Sequence, residues 1–173
     1  MLEKIPYKIH QYYMQKADEQ KCHSDDKDIQ TCAVIVRFTF RGKLLEYLPA
    51  WLWDWQIKSA GSNTLTRGTE ATEENTTRPN KVGWIEHAER NAIFKAVSKG
   101  IKLRGAVMYL RWFPCVDCMR AIIQSGISAI CVDEIPGEED FKHPRYGEGW
   151  KIAIEIAKNA KLEILKMNIV PRK

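Results

Sequence analysis

The regular alternation of strand-like and helix-like segments constrains the fold of this chain most. Short runs rich in apolar and β-branched residues occupy 106–112, 129–135 and 162–167. Segments with helical apolar spacing separate them. Strands that alternate with helices form a sheet whose faces the helices cover. This pattern therefore predicts an α/β fold.

The N-terminal part adds a helix over 5–20 and two strands over 31–40 and 48–59. The second strand places three tryptophans on one face by its period of two: Trp51, Trp53 and Trp55. Because no helix separates these two strands, we expect a hairpin and hence a mixed sheet. The tryptophans could stack on bases, but a core or subunit interface explains them more simply.

Three further helices are expected, over 85–98, 114–125 and 150–160. Residues 61–83 have almost no large apolar side chains, which predicts a long loop, and long loops in compact domains often carry function. A length of 173 residues suits one domain spanning 1–173, with this loop beside the active site.

Composition and charge indicate the cellular compartment and the kinds of partner that suit the protein. We find no secretory leader pattern and no apolar run long enough to span a membrane, so we expect a cytoplasmic protein. Five cysteines, an odd number, argue against a disulfide framework. The net charge of +5 is too mild to indicate nucleic-acid binding by itself.

Two short motifs carry the chemistry: His87-Ala88-Glu89 and Pro114-Cys115-Val116-Asp117-Cys118. The cysteines are three residues apart at a helix start, so their side chains share one face. The positive end of that helix favours the thiolate, which is the form that binds metal. One histidine and two cysteines leave a fourth tetrahedral position for water, as in a catalytic Zn²⁺ site. We therefore expect zinc on His87, Cys115 and Cys118.

Glu89 lies two residues after the expected histidine ligand, where we expect it to reach the water without binding the metal. It is predicted to be the general acid and base that moves protons. A C-x-x-C pair alone also suits a redox site, half of a zinc finger or a non-catalytic zinc module. The presence of Glu89 favours a catalytic zinc site over these alternatives, since a purely structural zinc site needs no such carboxylate.

Three stretches carry a family resemblance: His87-Ala88-Glu89-Arg90-Asn91-Ala92-Ile93, Trp112-Phe113-Pro114-Cys115-Val116-Asp117-Cys118 and Ala121-Ile122-Ile123-Gln124-Ser125-Gly126-Ile127. Through them the chain resembles the cytidine and deoxycytidylate deaminase superfamily, most nearly its deoxycytidylate (dCMP) branch. The resemblance follows the order of elements over about 30–165 and is close over about 84–135. It implies a three-layer fold with a five-stranded mixed sheet, and a homo-oligomer. It also implies hydrolysis of dCMP to dUMP with release of ammonia.

The resemblance also suggests residues that contact the substrate. Asn63 matches the asparagine of an Asn-Gly-x-Pro loop expected to bind the sugar hydroxyl, although the Gly and Pro are absent here. Ala88, inside the first motif, and Phe113, immediately before the second, are further expected contacts. Arg67 and Arg78 flank the site and are expected to hold a phosphate or else to be solvated.

Tyr146 lies in the loop after the fourth strand, where family members often close over the substrate. The alternative is a plain solvated turn. A free nucleoside, a nucleobase, or a base in tRNA or single-stranded DNA remain alternative substrates. The acidic stretch at 133–140 argues against nucleic acid, because it would repel phosphates beside the site.

Overall fold

The computed structural model describes residues 2–38, Tyr47 and 56–168. The strands are β1 Cys32–Val36, β2 Ile57–Ser62, β3 Thr64–Leu65, β4 Ile85–Glu86, β5 Val107–Leu110, β6 Ala129–Val132 and β7 Glu163–Lys166. The α-helices are α1 Tyr7–Glu19, α2 Glu73–Thr76, α3 Lys81–Trp84, α4 Ala88–Ser98, α5 Val116–Gln124 and α6 Gly147–Asn159. Short 3₁₀ turns cover Leu2–Lys4, Gln20–His23 and Asp140–Lys142.

The main sheet has five strands in the order β2-β1-β5-β6-β7. β1 runs antiparallel to both β2 and β5, whereas β5, β6 and β7 are parallel. The predicted hairpin and the predicted mixed sheet are both confirmed. β3 and β4 form a separate two-stranded sheet.

The central strands are buried on both faces, so their sequences are continuously apolar. Alternate side chains such as Ile35, Met108 and Ile130 pack under α4, α5 and α6. The intervening ones, such as Val34 and Tyr109, pack against α1. The result is a helix–sheet–helix arrangement, which confirms the predicted three-layer α/β fold.

The helix expected at 85–98 starts at Ala88 instead, because Ile85 and Glu86 pair with β3. Tertiary pairing thus overrides the helical apolar spacing. The expectation of an unbroken loop over 61–83 was likewise wrong. That stretch contains the end of β2, the short strand β3 and the one-turn helices α2 and α3. A Thr72–Asn75 capping box orders α2, which explains how so polar a segment folds.

The predicted strand 48–59 is observed only from Ile57 onward, and Trp51, Trp53 and Trp55 lie outside the described residues. The strand expected over 31–40 is observed over Cys32–Val36, with 39–40 also outside that part of the chain. Within 2–38 and 56–168, every helix is too short or too polar to cross a bilayer.

Candidate active site

The two motifs meet because each immediately precedes or begins a helix on the same face of the sheet. His87 is the residue before α4, and Cys115 is the residue before α5, with Cys118 in its first turn. Cys118 is buried, Cys115 is half-buried and His87 is exposed. The cluster therefore opens toward solvent on its histidine side.

The geometry of the three side chains suits a tetrahedral zinc ion. His87 Nδ1 lies 3.6 Å from Cys115 Sγ and 3.5 Å from Cys118 Sγ. All three potential ligand atoms lie within 4.8 Å of one another. Zinc bonds of about 2.3 Å to sulfur and about 2.0 Å to nitrogen, at the tetrahedral angle, put those atoms about 3.6 Å apart. The residues therefore fit Zn²⁺ both in spacing and in donor chemistry.

The electrostatics favour a thiolate in this cluster. The pKa of Cys115 is lowered to about 4, because its sulfur accepts hydrogen bonds from the Cys118 thiol and from His87. The pKa of Cys118 is raised, since its proton is shared with Cys115 and the side chain is buried. The pKa of His87 is raised by its hydrogen bond to Cys115. One sulfur thus carries negative charge before any cation binds.

Glu89 lies beside the cluster and is only 8% exposed. Burial raises the pKa of its carboxyl, and the positive charge of His87 and a hydrogen bond with Cys118 partly oppose this shift. A carboxyl with a raised pKa takes up and releases protons near neutral pH more readily than an exposed one. Its surroundings thus suit the predicted role in proton transfer.

Asn63 holds the start of the first motif in place through hydrogen bonds of its side-chain amide. Its Oδ1 accepts a 2.9 Å hydrogen bond from the backbone N–H of Ala88, and its Nδ2 donates to the carbonyl of Ile29 at 3.0 Å. Both ends of the amide are therefore engaged inside the protein, and Ala88 is fully buried. The predicted contacts of Asn63 and Ala88 with substrate stay predictions.

Two supporting residues were not predicted from the sequence. Asn91 Nδ2 lies within hydrogen-bond distance of Ser62 O and Thr64 Oγ1, both at 2.9 Å, which ties α4 to the end of β2. At Gly61, an added Cβ would lie 2.3 Å from the carbonyl oxygen of Ala88. A glycine inside a strand does signal a close backbone approach, so this one carried a usable signal.

The remaining predicted contacts fall in different places. Phe113 is 6% exposed and belongs to the apolar cluster under α4, α5 and α6, whereas Arg67 is exposed on the turn after β3. The structure does bring Arg78 and Tyr146 together: Arg78 Nη2 donates to Tyr146 Oη at 3.0 Å.

Tyr146 also lines an open pocket next to the cysteine cluster. The pocket is lined by Cys115, Val116, Asp117, Arg145, Tyr146, Gly149 and Trp150. The tyrosine ring packs against His143 and Trp150, with ring centres 4.9 and 5.4 Å apart. His143 Nδ1 accepts backbone N–H bonds from Arg145 and Tyr146, which holds the turn in place.

A buried ion pair anchors the segment before the first motif. Lys81 and Asp26 form an ion pair with their side chains 4% and 7% exposed, and Lys81 Nζ also lies 2.9 Å from Asp28 Oδ2. Burial by itself would raise the pKa of Asp26. The hydrogen bonds from Lys81 and from two backbone N–H groups outweigh burial and leave that pKa lowered.

Known proteins share both the sequence of this region and the fold. The sequence profile of the cytidine and deoxycytidylate deaminase zinc-binding region matches residues 56–134. Deoxycytidylate deaminase of Enterobacteria phage T4 is 37% identical over 87 residues, which are 50% of this chain and 38% of that protein. The match thus spans well under half the length of the phage relative.

An uncharacterized deaminase in the luxG 3′ region of Aliivibrio fischeri is 32% identical over 109 residues, 63% of this chain and 70% of that protein. The crystal structure of dCMP deaminase from the cyanophage S-TIM5, in complex with dCMP and dUMP, has a TM-score of 0.66 at 21% identity. That alignment covers 94% of this chain and 99% of the cyanophage chain, and it shows the shared fold. The chain belongs to the cytidine and deoxycytidylate deaminase family.

Proposed function

We propose that this protein hydrolyses the exocyclic amine of a cytosine nucleotide, converting dCMP and water to dUMP and ammonia. The observation that carries the proposal is the His87, Cys115 and Cys118 cluster with a buried carboxyl, Glu89, beside it. Three ligands and a neighbouring acid that is not a ligand are what a hydrolytic metal site requires.

His87 Nδ1 and the two cysteine sulfurs would hold the zinc ion. Bound there, zinc would act as a Lewis acid that lowers the pKa of water toward about 7 and so supplies the nucleophile. Glu89 accepts the proton that this water loses, and it delivers protons to the ring nitrogen and to the departing amine. Its burial, at 8% exposed, limits the contact of this carboxyl with bulk solvent.

The relatives support a deoxycytidine monophosphate as the substrate. The T4 phage relative is a deoxycytidylate deaminase, and the cyanophage structure holds dCMP and dUMP. In this chain, Arg145 places a positive charge in the wall of the pocket beside Cys115, and Arg67 is exposed on the turn after β3. A guanidinium suits phosphate recognition by charge-assisted hydrogen bonds.

A homo-oligomer is part of the same proposal. Phe94 and Val97 are 52% and 62% exposed on the outer side of α4, the helix that begins at the first motif. Trp112, just before the second motif, is 48% exposed. Phe94 and Val97, three residues apart on one helix, are neighbours, and such exposed apolar side chains are typical of protein–protein contacts. We expect a second copy of the chain to cover them.

The test is a chromatographic product assay with zinc-loaded protein on dCMP, deoxycytidine, CMP, cytidine, cytosine and a short single-stranded oligonucleotide. We expect dCMP to react fastest, about thirtyfold ahead of deoxycytidine in kcat/KM, since an arginine–phosphate contact contributes about 2 kcal/mol. Glu89→Gln is the control against contaminating deaminases, and it should lower turnover by about 10² to 10⁴.

Each adverse result has a separate meaning. Absence of turnover on all six substrates would reject the deaminase activity. Faster reaction of the oligonucleotide than of dCMP would favour the nucleic-acid alternative. Equal rates on dCMP and deoxycytidine would reject the phosphate contact alone.

A further inference from the structure

We propose that Arg78 is a positioning residue that fixes Tyr146 in the wall of the active-site pocket, and that it is not a phosphate ligand. This inference rests on the proposed function for its kinetic part. The residue comes from the segment between β3 and β4, whereas Tyr146 comes immediately before α6, 68 residues later in the chain.

Two nitrogens on one edge of the Arg78 guanidinium are already engaged. Nη2 donates to Tyr146 Oη at 3.0 Å, and Nε lies 3.6 Å from Asp28 Oδ2. The same Asp28 oxygen lies 2.9 Å from Lys81 Nζ, and Lys81 pairs in turn with Asp26. The orientation of the guanidinium is thereby fixed by the Asp28 carboxylate, which Lys81 in turn holds in place.

The charges of this group do not favour a phosphate. Arg78 and Lys81 carry two positive charges, and Asp26 and Asp28 carry two negative ones, so the four side chains are neutral together. A phosphate approaching Arg78 would also meet the Asp28 carboxylate, which is 42% exposed. Arg145, in contrast, lines the pocket itself.

Tyr146, unlike Arg78, lies in the wall of the active-site pocket, so its orientation affects the shape of that pocket. Its ring packs on His143 and Trp150, and it shares the pocket wall with Cys115, one of the proposed zinc ligands. The turn that carries it is fixed through His143 Nδ1. The hydroxyl end of the ring is bound to Arg78. Loss of that bond releases the end of the ring that the turn does not hold.

The experiment compares Arg78→Ala, Arg78→Lys, Tyr146→Phe and the Arg78→Ala/Tyr146→Phe double variant in the zinc-loaded full chain. Arg104→Ala is the matched control. Arg104 is an exposed residue that precedes β5, at the end of the strands opposite the two motifs. kcat and KM are measured on dCMP and on deoxycytidine. Hydrogen–deuterium exchange of residues 143–150 is measured without substrate, and thermal melting verifies that each variant is folded.

We expect Arg78→Ala and Tyr146→Phe each to lower kcat/KM about tenfold on both substrates, the size of one hydrogen bond to a charged donor. The preference for dCMP over deoxycytidine should be unchanged, and the double variant should be no slower than the slower single one. Arg78→Lys should not restore the rate, because one ammonium cannot serve Asp28 and Tyr146 as the fork does. Exchange over 143–150 should rise in all four variants and not in Arg104→Ala.

A fall in the dCMP preference of Arg78→Ala, with partial recovery in Arg78→Lys, would overturn the proposal and make Arg78 a phosphate ligand. Additive losses in the double variant, or unchanged exchange over 143–150, would also overturn it. The exchange measurement needs no turnover. It therefore tests the Arg78–Tyr146 coupling even if the assay on all six substrates rejects the deaminase activity.

Discussion

Replacing Gly61 by alanine tests whether the close approach of β2 to α4 sets the position of the first motif. The new Cβ would lie 2.3 Å from the carbonyl oxygen of Ala88 and 2.5 Å from the backbone nitrogen of Ala92. Both are main-chain atoms of one helix, so no side-chain rotation relieves the overlap. Ordinary contact begins near 3.4 Å, and α4 must therefore retreat by about 1 Å.

That displacement has two measurable consequences. Overpacking of this kind costs about 1–3 kcal/mol of folding stability, which lowers Tm by roughly 2–12 °C in a chain of this size. It also moves His87 and Glu89 relative to Cys115 and Cys118, which belong to a different helix. A misplacement of about 1 Å at a catalytic site lowers the rate by about a hundredfold.

The assay pairs thermal melting with kcat/KM on dCMP, and Gly83→Ala is the matched control. A Cβ at Gly83 would meet no atom within 4 Å, and Gly83 lies within α3. That variant should keep its activity and gain up to about 1 kcal/mol of stability. A Gly61→Ala protein with normal Tm and normal turnover would refute the reasoning. Reduced Tm with full turnover would show that β2, an edge strand, yields instead of the helix.

Three further outcomes are expected. Elemental analysis should find about one zinc per chain in the natural protein and little in Cys115→Ala; a variant that retains zinc fully would exclude this residue as a ligand. Lys81→Met should lower the free energy of unfolding at pH 7 by about 3–5 kcal/mol in urea titrations, because it leaves Asp26 charged and buried without its cation. Since the pKa of Asp26 is lowered in the fold, that loss should shrink as the pH falls through this pKa and the carboxyl is protonated; a loss independent of pH would contradict the ion-pair explanation. Light scattering should give a mass of at least two chains of 20.0 kDa, and Phe94→Glu should reduce it; a natural protein at 20.0 kDa would reject the oligomer.

The sequence by itself determined the fold class and the residues that meet at the site. Alternating strand and helix patterns are local properties, since side-chain spacing and propensity depend only on neighbours along the chain. Pro114 marks the start of α5 in the same local way, and the expected approach of His87 to Cys115 and Cys118 followed from segments that end at the same edge of an α/β sheet. Here local preference and global topology agree, as they do in sequences that fold reliably.

Only the tertiary structure decided how the site is supported. Nothing near Lys81 in the sequence marks it as a buried lysine, because its partners Asp26 and Asp28 lie more than 50 residues away. The start of α4 at Ala88 depends on the pairing of β4 with β3, and the contact of Arg78 with Tyr146 depends on where the turn before α6 returns over the sheet. These are pair interactions between distant segments, which periodicity along the chain does not encode.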